Sequence, residues 1–360
     1  MGNKLILQKG YFHTITGNNG TGKSRILTEL SKNSLDKINK NNDFSRMICL
    51  SGTVFERFII PKKNEFNSKY CYLGQAVNSN MFSGISPYYN LFKILCDDYN
   101  KDYEFKSKLE LMNELFEKIG FEGSVEISLR NKKGFGTISK ENKTHCLNFR
   151  EHDNFKGFID RFKVNIDNGC TINNISFYKE KRKFELNELS SGERAILLMI
   201  LGLALTIKDN SIIFYDEPEN SMHPKWQEYI VAFLQRIVRF LSKNSTVVIA
   251  THSPLIVSSI NDEKSRIISF GRDNDWRGDS YSENLNIENV LYRVFNKITP
   301  KIHFFSVEIS NILKDVIDNK ITQNEAKDKL HELQSASLDN IQDGIIKSII
   351  SNIDSIKDVG

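Results

Sequence analysis

The chain has 360 residues and a formal net charge of +4 at pH 7, enough length for one large or two modest domains with a buried core. The charge is too small to indicate nucleic-acid binding, and the longest apolar run, residues 195–207, is too short to cross a bilayer. No signal segment is recognised, and the five cysteines include no Cys-x-x-Cys pair, which argues against a disulfide framework or a zinc hook. We therefore expect a cytoplasmic protein.

The first predicted element is a β-prone run at Phe12–Thr16 that leads into a glycine-rich segment. Residues 17–24 match G-x-x-x-x-G-K-[ST], and helical spacing follows. This order is typical of a loop whose amides and helix N-terminus bind phosphate. Lys23 is expected to neutralise the β- and γ-phosphates and Ser24 to hold Mg²⁺. The predicted nucleotide-binding residues are Asn18, Asn19, Gly20, Thr21, Gly22, Lys23, Ser24 and Arg25.

Residues 76–186 predict a compact lobe rather than a coiled coil. Apolar residues have helical spacing over 88–119, where even one continuous helix would reach only about 48 Å, and residues 122–186 predict a few antiparallel strands. Basic clusters at 130–133 and 179–183 could contact a nucleic-acid backbone or could be solvated hairpin tips. The second interpretation is favoured because aromatic residues that could stack bases are not interleaved with them.

A capped helix start is predicted after the lobe. Leu189-Ser-Ser-Gly-Glu193 places a serine at the N-cap and a glutamate at the third helical position, which is the pattern of a capping box. The helix that follows is apolar on nearly every side and is therefore expected to be buried. The free amides and positive dipole at the start of such a helix suit the γ-phosphate of a nucleotide.

Two buried strands are predicted next, each followed by a candidate catalytic residue. The apolar run Ser211–Asp216 suits a parallel sheet, and Asp216 at its carboxyl end is expected to hold Mg²⁺ through water. Glu217 is then placed to act as a general base on the attacking water. A second apolar run, Thr246–Thr251, is followed by His252.

The rest of the chain predicts the end of the core and a helical tail. A strand is expected at Ser265–Gly271, a linker at Arg272–Glu283 because it is rich in Asp, Asn, Gly and Ser, and helices from Ile287 onward. The histidines and acidic residues of the tail match no metal-binding spacing. We therefore expect this tail to serve packing or assembly rather than nuclease chemistry.

The four motifs, in this order, resemble those of ABC-type ATPases of the SMC, RecF and OLD branch over about residues 5–270. The resemblance implies an α/β fold: a P-loop NTPase of ABC type with a mainly parallel core sheet, an inserted helical and β lobe, and a C-terminal helical extension. We expect an ATPase core formed by residues 1–75 and 187–271. The inserted lobe would comprise residues 76–186, and a helical assembly region would comprise residues 284–360.

In that family the signature motif contacts the γ-phosphate bound to a second subunit. The resemblance therefore implies an oligomer, at least a homodimer, that closes around ATP and Mg²⁺ and hydrolyses ATP slowly. It implies trans-acting roles for Ser190, Ser191, Gly192 and Glu193. It also implies that His252 is a switch histidine touching the γ-phosphate and that residues 220–224 line the dimer interface.

Two further positions follow less directly from the family pattern. Gln75 is the candidate Q-loop glutamine, which would join Ser24 and Asp216 at Mg²⁺, and a plain loop glutamine is the alternative. Family members usually carry two more strands before the phosphate loop, and these can supply an aromatic that stacks on adenine. Tyr11 or Phe12 could take that role, or the lobe is trimmed and the base contact weaker.

Three functions are compatible with these features. The favoured hypothesis is a sensor or scaffold ATPase for a separate effector, for example a nuclease, resembling the ATPase subunits of anti-phage systems such as Septu, PARIS or retrons. OLD nucleases carry an acidic Toprim domain after the ATPase, and the tail here has no such cluster. The alternatives are a DNA repair or maintenance ATPase that clamps nucleic acid directly and, less favoured, a transporter's nucleotide-binding subunit.

Overall fold

The computed structural model describes residues 5–17, 20–41, 43–61, 68–78, 80–98, 105–131, 143–152, 154–260, 263–270, 276–279, 287–295, 303–336 and 340–353. The chain divides into two compact units, Met1–Ser282 and Glu283–Gly360. Among the helices in the described ranges, none is long and apolar enough to cross a membrane.

The first unit is built on a seven-stranded sheet whose strands are all parallel except for one edge strand, which pairs antiparallel with its neighbour. Its strands lie side by side in the order β13 (Trp276–Asp279), β12 (Ser265–Phe270), β1 (Phe12–Gly17), β11 (Thr246–Thr251), β10 (Ile212–Asp216), β2 (Met47–Ser51) and β3 (Tyr70–Tyr72). Strands β1, β2, β10 and β11 are buried along their whole length. Burial on both faces explains why these strands appear in the sequence as continuous apolar runs.

Helices cover both faces of this sheet. Helix α1 (Lys23–Asn41) packs on β1, β2, β10 and β11 and buries Leu27. On the other face, α5 (Ser191–Thr206) and α6 (Pro224–Leu241) share a core with alternate residues of the same strands. The short helix α7 (Pro254–Ser259) packs against α6. The fold class predicted from the sequence, an α/β fold with a mainly parallel core sheet, is confirmed.

The segment between β3 and α5 forms a lobe of helices and antiparallel strands. Its elements are the hairpin β4 (Ala76–Asn78) and β5 (Met81–Phe82), helices α2 (Ser86–Asp98), α3 (Phe105–Lys118) and α4 (Asn154–Asp167), and a sheet of β7 (Thr144–Asn148), β6 (Ser124–Asn131), β8 (Cys170–Lys179) and β9 (Arg182–Glu185). Phenylalanine rings from α2, α4 and β8 fill its core. Helices and strands of this segment thus pack around aromatic side chains.

Two elements differ from the sequence predictions. Helix α4 lies where strands alone were expected, although Phe155, Phe158, Ile159 and Phe162 have helical spacing and are buried. The helical spacing was missed because α4 is short and lies between segments with strand-like alternation. Strand β13 lies inside the predicted linker and pairs antiparallel with β12, so the linker prediction is wrong for Trp276–Asp279. The polar composition of the surrounding segment outweighs the one β-prone aromatic residue.

The second unit is helical. It contains α8 (Ile287–Arg293), α9 (His303–Ile317), α10 (Gln323–Ala336) and α11 (Asn340–Asn352). Apolar residues of α9, α10 and α11 form one buried cluster, which includes Ile312, Leu330 and Ile346. The helical C-terminal region predicted from the apolar spacing is thus present.

Candidate functional site

The phosphate loop connects β1 to α1 at the carboxyl edge of the sheet. Gly20 and Gly22 have φ angles of +83° and +91°, which residues with a Cβ rarely adopt, so the path of the loop depends on glycine. Lys23 begins α1 and is buried, and its Nζ donates to the Gly17 carbonyl at 3.0 Å. Burial lowers the pKa of the Lys23 ammonium, and the acidic residues that follow β10 oppose this effect.

The other predicted loop residues are placed as follows. Arg25 is exposed, and its guanidinium lies near Gly22. Thr21 lies in the described turn before α1. Asn18 and Asn19 lie outside the described residues. The structure therefore shows the part of the loop that leads into the helix.

Ser24 and Asp216 meet at the predicted Mg²⁺ position. The Ser24 Oγ donates to the Asp216 Oδ1 at 3.1 Å, and Asp216 is 2% exposed. Burial raises the pKa of Asp216 to about 7, against the hydrogen bond from Ser24, and the charge of Glu217 adds to the rise. Oxygen ligands of this kind suit Mg²⁺, whose charge would compensate the buried carboxylate.

In the described part of the chain, no group of three or more His, Cys, Asp or Glu side chains could hold a metal ion. Mg²⁺ often uses one or two protein ligands and completes its shell with water and nucleotide phosphates. Ser24 and Asp216 therefore fit a nucleotide-bound Mg²⁺ better than a metal held by the protein alone.

The two predicted catalytic residues lie close together. Glu217 follows Asp216 with a φ of +45°, and its amide donates to the Ala250 carbonyl at 2.8 Å. The Glu217 Oε1 lies 3.7 Å from the His252 Nδ1. Both side chains are partly exposed, at 26% and 40%, so a water molecule and a phosphate could reach them. The neighbouring strands β10 and β11 thus bring together residues that are far apart in sequence.

Glu219 is a site residue that the sequence analysis did not identify. It is 5% exposed, and its Oε1 accepts hydrogen bonds from the Thr251 Oγ1 at 2.6 Å, the His252 amide at 2.7 Å and the Ser253 amide at 3.1 Å. The same oxygen lies 3.1 Å from the His252 Nδ1. Glu219 therefore fixes the loop that carries His252. The only signal in the sequence is an acidic residue two positions after Glu217.

Gly52 is a second residue that the sequence analysis did not identify. It follows β2, and its amide donates to the Asp216 carbonyl at 2.9 Å. A Cβ at this position would lie 2.1 Å from the Glu217 carbonyl oxygen, so only glycine allows the close approach. The Gly52 carbonyl also accepts from the Asn220 Nδ2 at 3.0 Å. A lone glycine after a strand carries no sequence signal for this contact.

The predicted capping box is present at the start of α5. The Ser190 Oγ accepts from the Glu193 amide at 3.3 Å, and the Glu193 Oε2 accepts from the Ser190 amide at 3.0 Å and from its hydroxyl at 2.8 Å. Ser191 Oγ donates to the Ser221 carbonyl at 2.5 Å, and the buried Gly192 packs against Trp226. Ser190 itself is exposed. The contact with Ser221 places the signature at the same sheet edge as Asp216.

Gln75 lies in the turn between β3 and β4. Its carbonyl accepts from the Ser83 amide at 2.8 Å, and its own amide donates to the buried Glu56 carboxylate. Both contacts are made by the backbone of Gln75, and a bond from its side chain to Mg²⁺ stays a prediction. Phe12 is 1% exposed in the sheet, and the ring of Tyr11 lies 5.5 Å from the Arg266 guanidinium. Phe12 is thus buried in the core rather than free to stack on adenine.

Residues 72–258 match the family model described as "AAA domain, putative AbiEii toxin, Type IV TA system". This range is more than half of the chain and includes the signature, Asp216, Glu217 and His252. The chain belongs to this AAA family. The phosphate loop precedes the matched range, so its assignment rests on the sequence motif and on the contacts of Lys23 and Ser24.

The chain is also similar to two curated proteins. Protein ea59 of Escherichia phage lambda is 23% identical over 269 residues, which are 69% of this chain and 46% of that protein. The Retron Vc95 probable ATPase of Vibrio cholerae serotype O1 biovar El Tor is 28% identical over 102 residues, which are 25% of this chain and 19% of that protein. The chain therefore spans less than half the length of these relatives.

Two solved structures resemble this AAA-family chain at low identity. The SmcHead bound to the C-winged helix domain of ScpA has a TM-score of 0.41 at 12% identity, covering 76% of this chain and 91% of the other. A post-hydrolysis state of the ATP-binding cassette MJ0796 has a TM-score of 0.35 at 16% identity, covering 78% and 89%. The α/β fold is established by the strand order of the core sheet.

Proposed function

We propose that this AAA-family chain binds ATP with Mg²⁺ and hydrolyses it slowly in a dimer that closes around the nucleotide. The observation that carries the proposal is the hydrogen bond of 3.1 Å between Ser24 and Asp216, with Glu217 and His252 at the same edge of the sheet. The residues proposed to bind phosphate, to hold the metal and to act as general base thus come from three segments of the core: the start of α1, the end of β10 and the loop after β11.

Each residue of this group has a distinct role in the proposal. Lys23 neutralises the β- and γ-phosphates, and Ser24 and Asp216 hold Mg²⁺, which supplies charge compensation when it is bound. Glu217 accepts a proton from the attacking water. His252 faces the γ-phosphate, with its backbone amide held by Glu219.

The signature is proposed to act on the nucleotide of a second copy of the chain. The Ser190 side chain bonds with Glu193 in its own helical turn and is exposed at the sheet edge. A start of α5 that faces outward suits the γ-phosphate of a facing subunit. A two-fold dimer would then contain two such composite sites.

We further propose that the closed dimer acts as a sensor or scaffold for a separate effector, such as a nuclease, in bacterial anti-phage defence. The similarity to a protein named as a retron ATPase and the match to a family described by a toxin–antitoxin system support this role. In the second basic cluster, Lys179 pairs with Glu193 and Lys183 pairs with Glu126. This pairing leaves less free positive charge for direct binding of nucleic acid.

Native mass spectrometry of the Glu217→Gln protein tests both parts of the proposal. The protein would be purified from its own host with ATP and Mg²⁺, with Lys23→Ala as the matched control that cannot bind nucleotide. We expect an ATP-bound assembly containing a second, smaller protein for Glu217→Gln and no ATP-bound assembly for Lys23→Ala. A bare dimer would contradict the effector role, and a nucleotide-free monomer in both samples would contradict the ATPase itself.

A further inference from the structure

An ion pair joins the inserted lobe to the signature. Lys179, the last residue of β8, places its Nζ 3.4 Å from the Glu193 Oε1. The lobe also holds the lysine side chain in place, because its stem passes Gly120 and its Nζ lies 5.5 Å from the centroid of the Phe121 ring. The ammonium therefore lies between the lobe and the first turn of α5.

Glu193 creates an electrostatic problem at this position. It lies in the first turn of α5, where the proposed function needs amides and the Ser190 hydroxyl to meet the γ-phosphate of a second subunit. A carboxylate there repels the phosphate, and its charge cancels part of the positive potential that the helix dipole offers to an anion. Its Oε2 also accepts the Ser190 hydroxyl at 2.8 Å, so the same group competes with phosphate for that donor.

The carboxylate of Glu193 is held in its charged form. Burial acts to raise the pKa of Glu193, but hydrogen bonds from Ser190 and the charge of Lys179 outweigh burial and keep the pKa below its usual value. The side chain is 15% exposed, so solvent screens its charge only in part. The start of α5 can therefore accept a phosphate only if a nearby positive charge, such as that of Lys179, compensates the Glu193 carboxylate.

We propose that Lys179 is a positioning residue for the ATP site of a second copy of this chain, where it neutralises Glu193 and allows the Ser190 turn to approach the γ-phosphate. The inference rests on the proposed trans action of Ser190. It makes the lobe part of the nucleotide switch, because any movement of the β8–β9 hairpin that withdraws Lys179 exposes the phosphate to an uncompensated carboxylate.

A purely structural role for this ion pair makes a different prediction. Lys179 is 38% exposed, and ion pairs at such positions contribute little to folding stability. If the pair only supported the fold, its loss would lower the melting temperature and affect every activity alike. If it compensates charge, its loss weakens ATP-dependent dimer formation and leaves ATP binding by the single subunit unchanged.

A double-mutant cycle of Lys179→Gln and Glu193→Gln tests the inference, because Gln is also accepted at the third position of a capping box. In the natural background we expect Lys179→Gln to weaken ATP-dependent dimer formation about tenfold, the effect of roughly one lost charge interaction. In the Glu193→Gln background the same substitution should have no effect, since no carboxylate is left to neutralise. The control is Lys181→Gln, an exposed lysine of the same hairpin, which should behave like the natural protein.

Equal losses from Lys179→Gln in both backgrounds, or no loss in either, would overturn the inference. The Ser190→Arg protein, assayed in parallel, separates this outcome from a failure of the proposed function. If Ser190→Arg forms ATP-dependent dimers normally, the trans signature itself is wrong. If Ser190→Arg is blocked while Lys179→Gln is normal, the compensation by Lys179 alone is wrong.

Discussion

The two halves of the proposed ATP site differ in how the chain holds them. The half around Asp216 is built at the ends of buried parallel strands, and Glu219 alone accepts three hydrogen bonds that fix the loop after β11. In the other half, Ser190 is exposed and its side chain bonds within its own helical turn. Ser191 bonds to the loop after β10, and Glu193 pairs with Lys179 of the inserted lobe.

This difference suits a division of roles in which the sheet edge carries the catalytic residues and the signature turn is the part that can be regulated. The sheet fixes Asp216, Glu217 and His252 in one rigid edge, which suits groups that must hold a metal and position a water molecule. The signature turn depends on surface contacts that a bound partner could change at small energetic cost. Under the proposed function, the core would hydrolyse ATP and the lobe would be the part of the molecule through which a trigger acts.

The largest expected effect is in the rigid half. Glu217→Gln should lower the rate of phosphate release by about 10²–10⁴-fold, because a general base is lost, while ATP binding persists. Steady-state phosphate release and a nucleotide titration measure the two properties separately. Glu228→Gln, an exposed position on α6, is the control and should hydrolyse normally. Intact turnover in Glu217→Gln would show that the base lies elsewhere.

The dependence of folding stability on pH should reveal the buried Asp216 carboxylate in the half of the site built on the sheet. The pKa of Asp216 is raised to about 7, so its contribution to stability is complete below about pH 4 and is lost as pH rises through 7. Without Mg²⁺, Asp216→Asn should therefore be more stable than the natural protein by up to about 4 kcal/mol at pH 8, and by much less at pH 5. Melting curves in EDTA test this, and parallel pH curves for the two proteins would contradict it.

A smaller effect is expected from the residue that links β10 and β11. Glu219→Ala leaves the His252 amide and the Thr251 hydroxyl without the carboxylate that accepts from them, which should lower the free energy of unfolding by about 1–3 kcal/mol. The kcat should fall more than the KM for ATP changes, because the phosphate loop is untouched. Denaturant unfolding and kinetics on the same preparation, with Glu228→Ala as control, would check both. An unchanged kcat would mean that Glu219 only stabilises the fold.

The same contrast explains what the sequence could predict. Buried parallel strands appear as apolar runs, so the strands that carry Asp216 and precede His252 were predicted within a residue of their observed bounds. The roles of Glu219 and Gly52 depend on contacts between segments far apart in the chain, which no local pattern records. Helix α4 shows a different limit, since its helical spacing is present but short and lies between strands.

The sequence predicted helices and antiparallel strands in the lobe, but it did not predict the contact between the lobe and the signature. The sequence placed Lys179 in a basic cluster at a hairpin tip, and the structure pairs it with Glu193. A charge count along the chain treats such a lysine as free, because its acidic neighbour is fourteen residues away and on a different element. The functional significance of the cluster therefore depends on tertiary structure.

The central claim is that two incomplete sites combine across a dimer, and a mixing experiment tests it most directly. Lys23→Ala retains the signature but cannot bind ATP, and Ser190→Arg retains the nucleotide loop but has a blocked signature. Each protein alone should be inactive. An equimolar mixture should recover about a quarter of the natural hydrolysis rate, since half of randomly formed dimers are mixed and each contains one intact site of two. No recovery, or full activity of Ser190→Arg alone, would contradict the account.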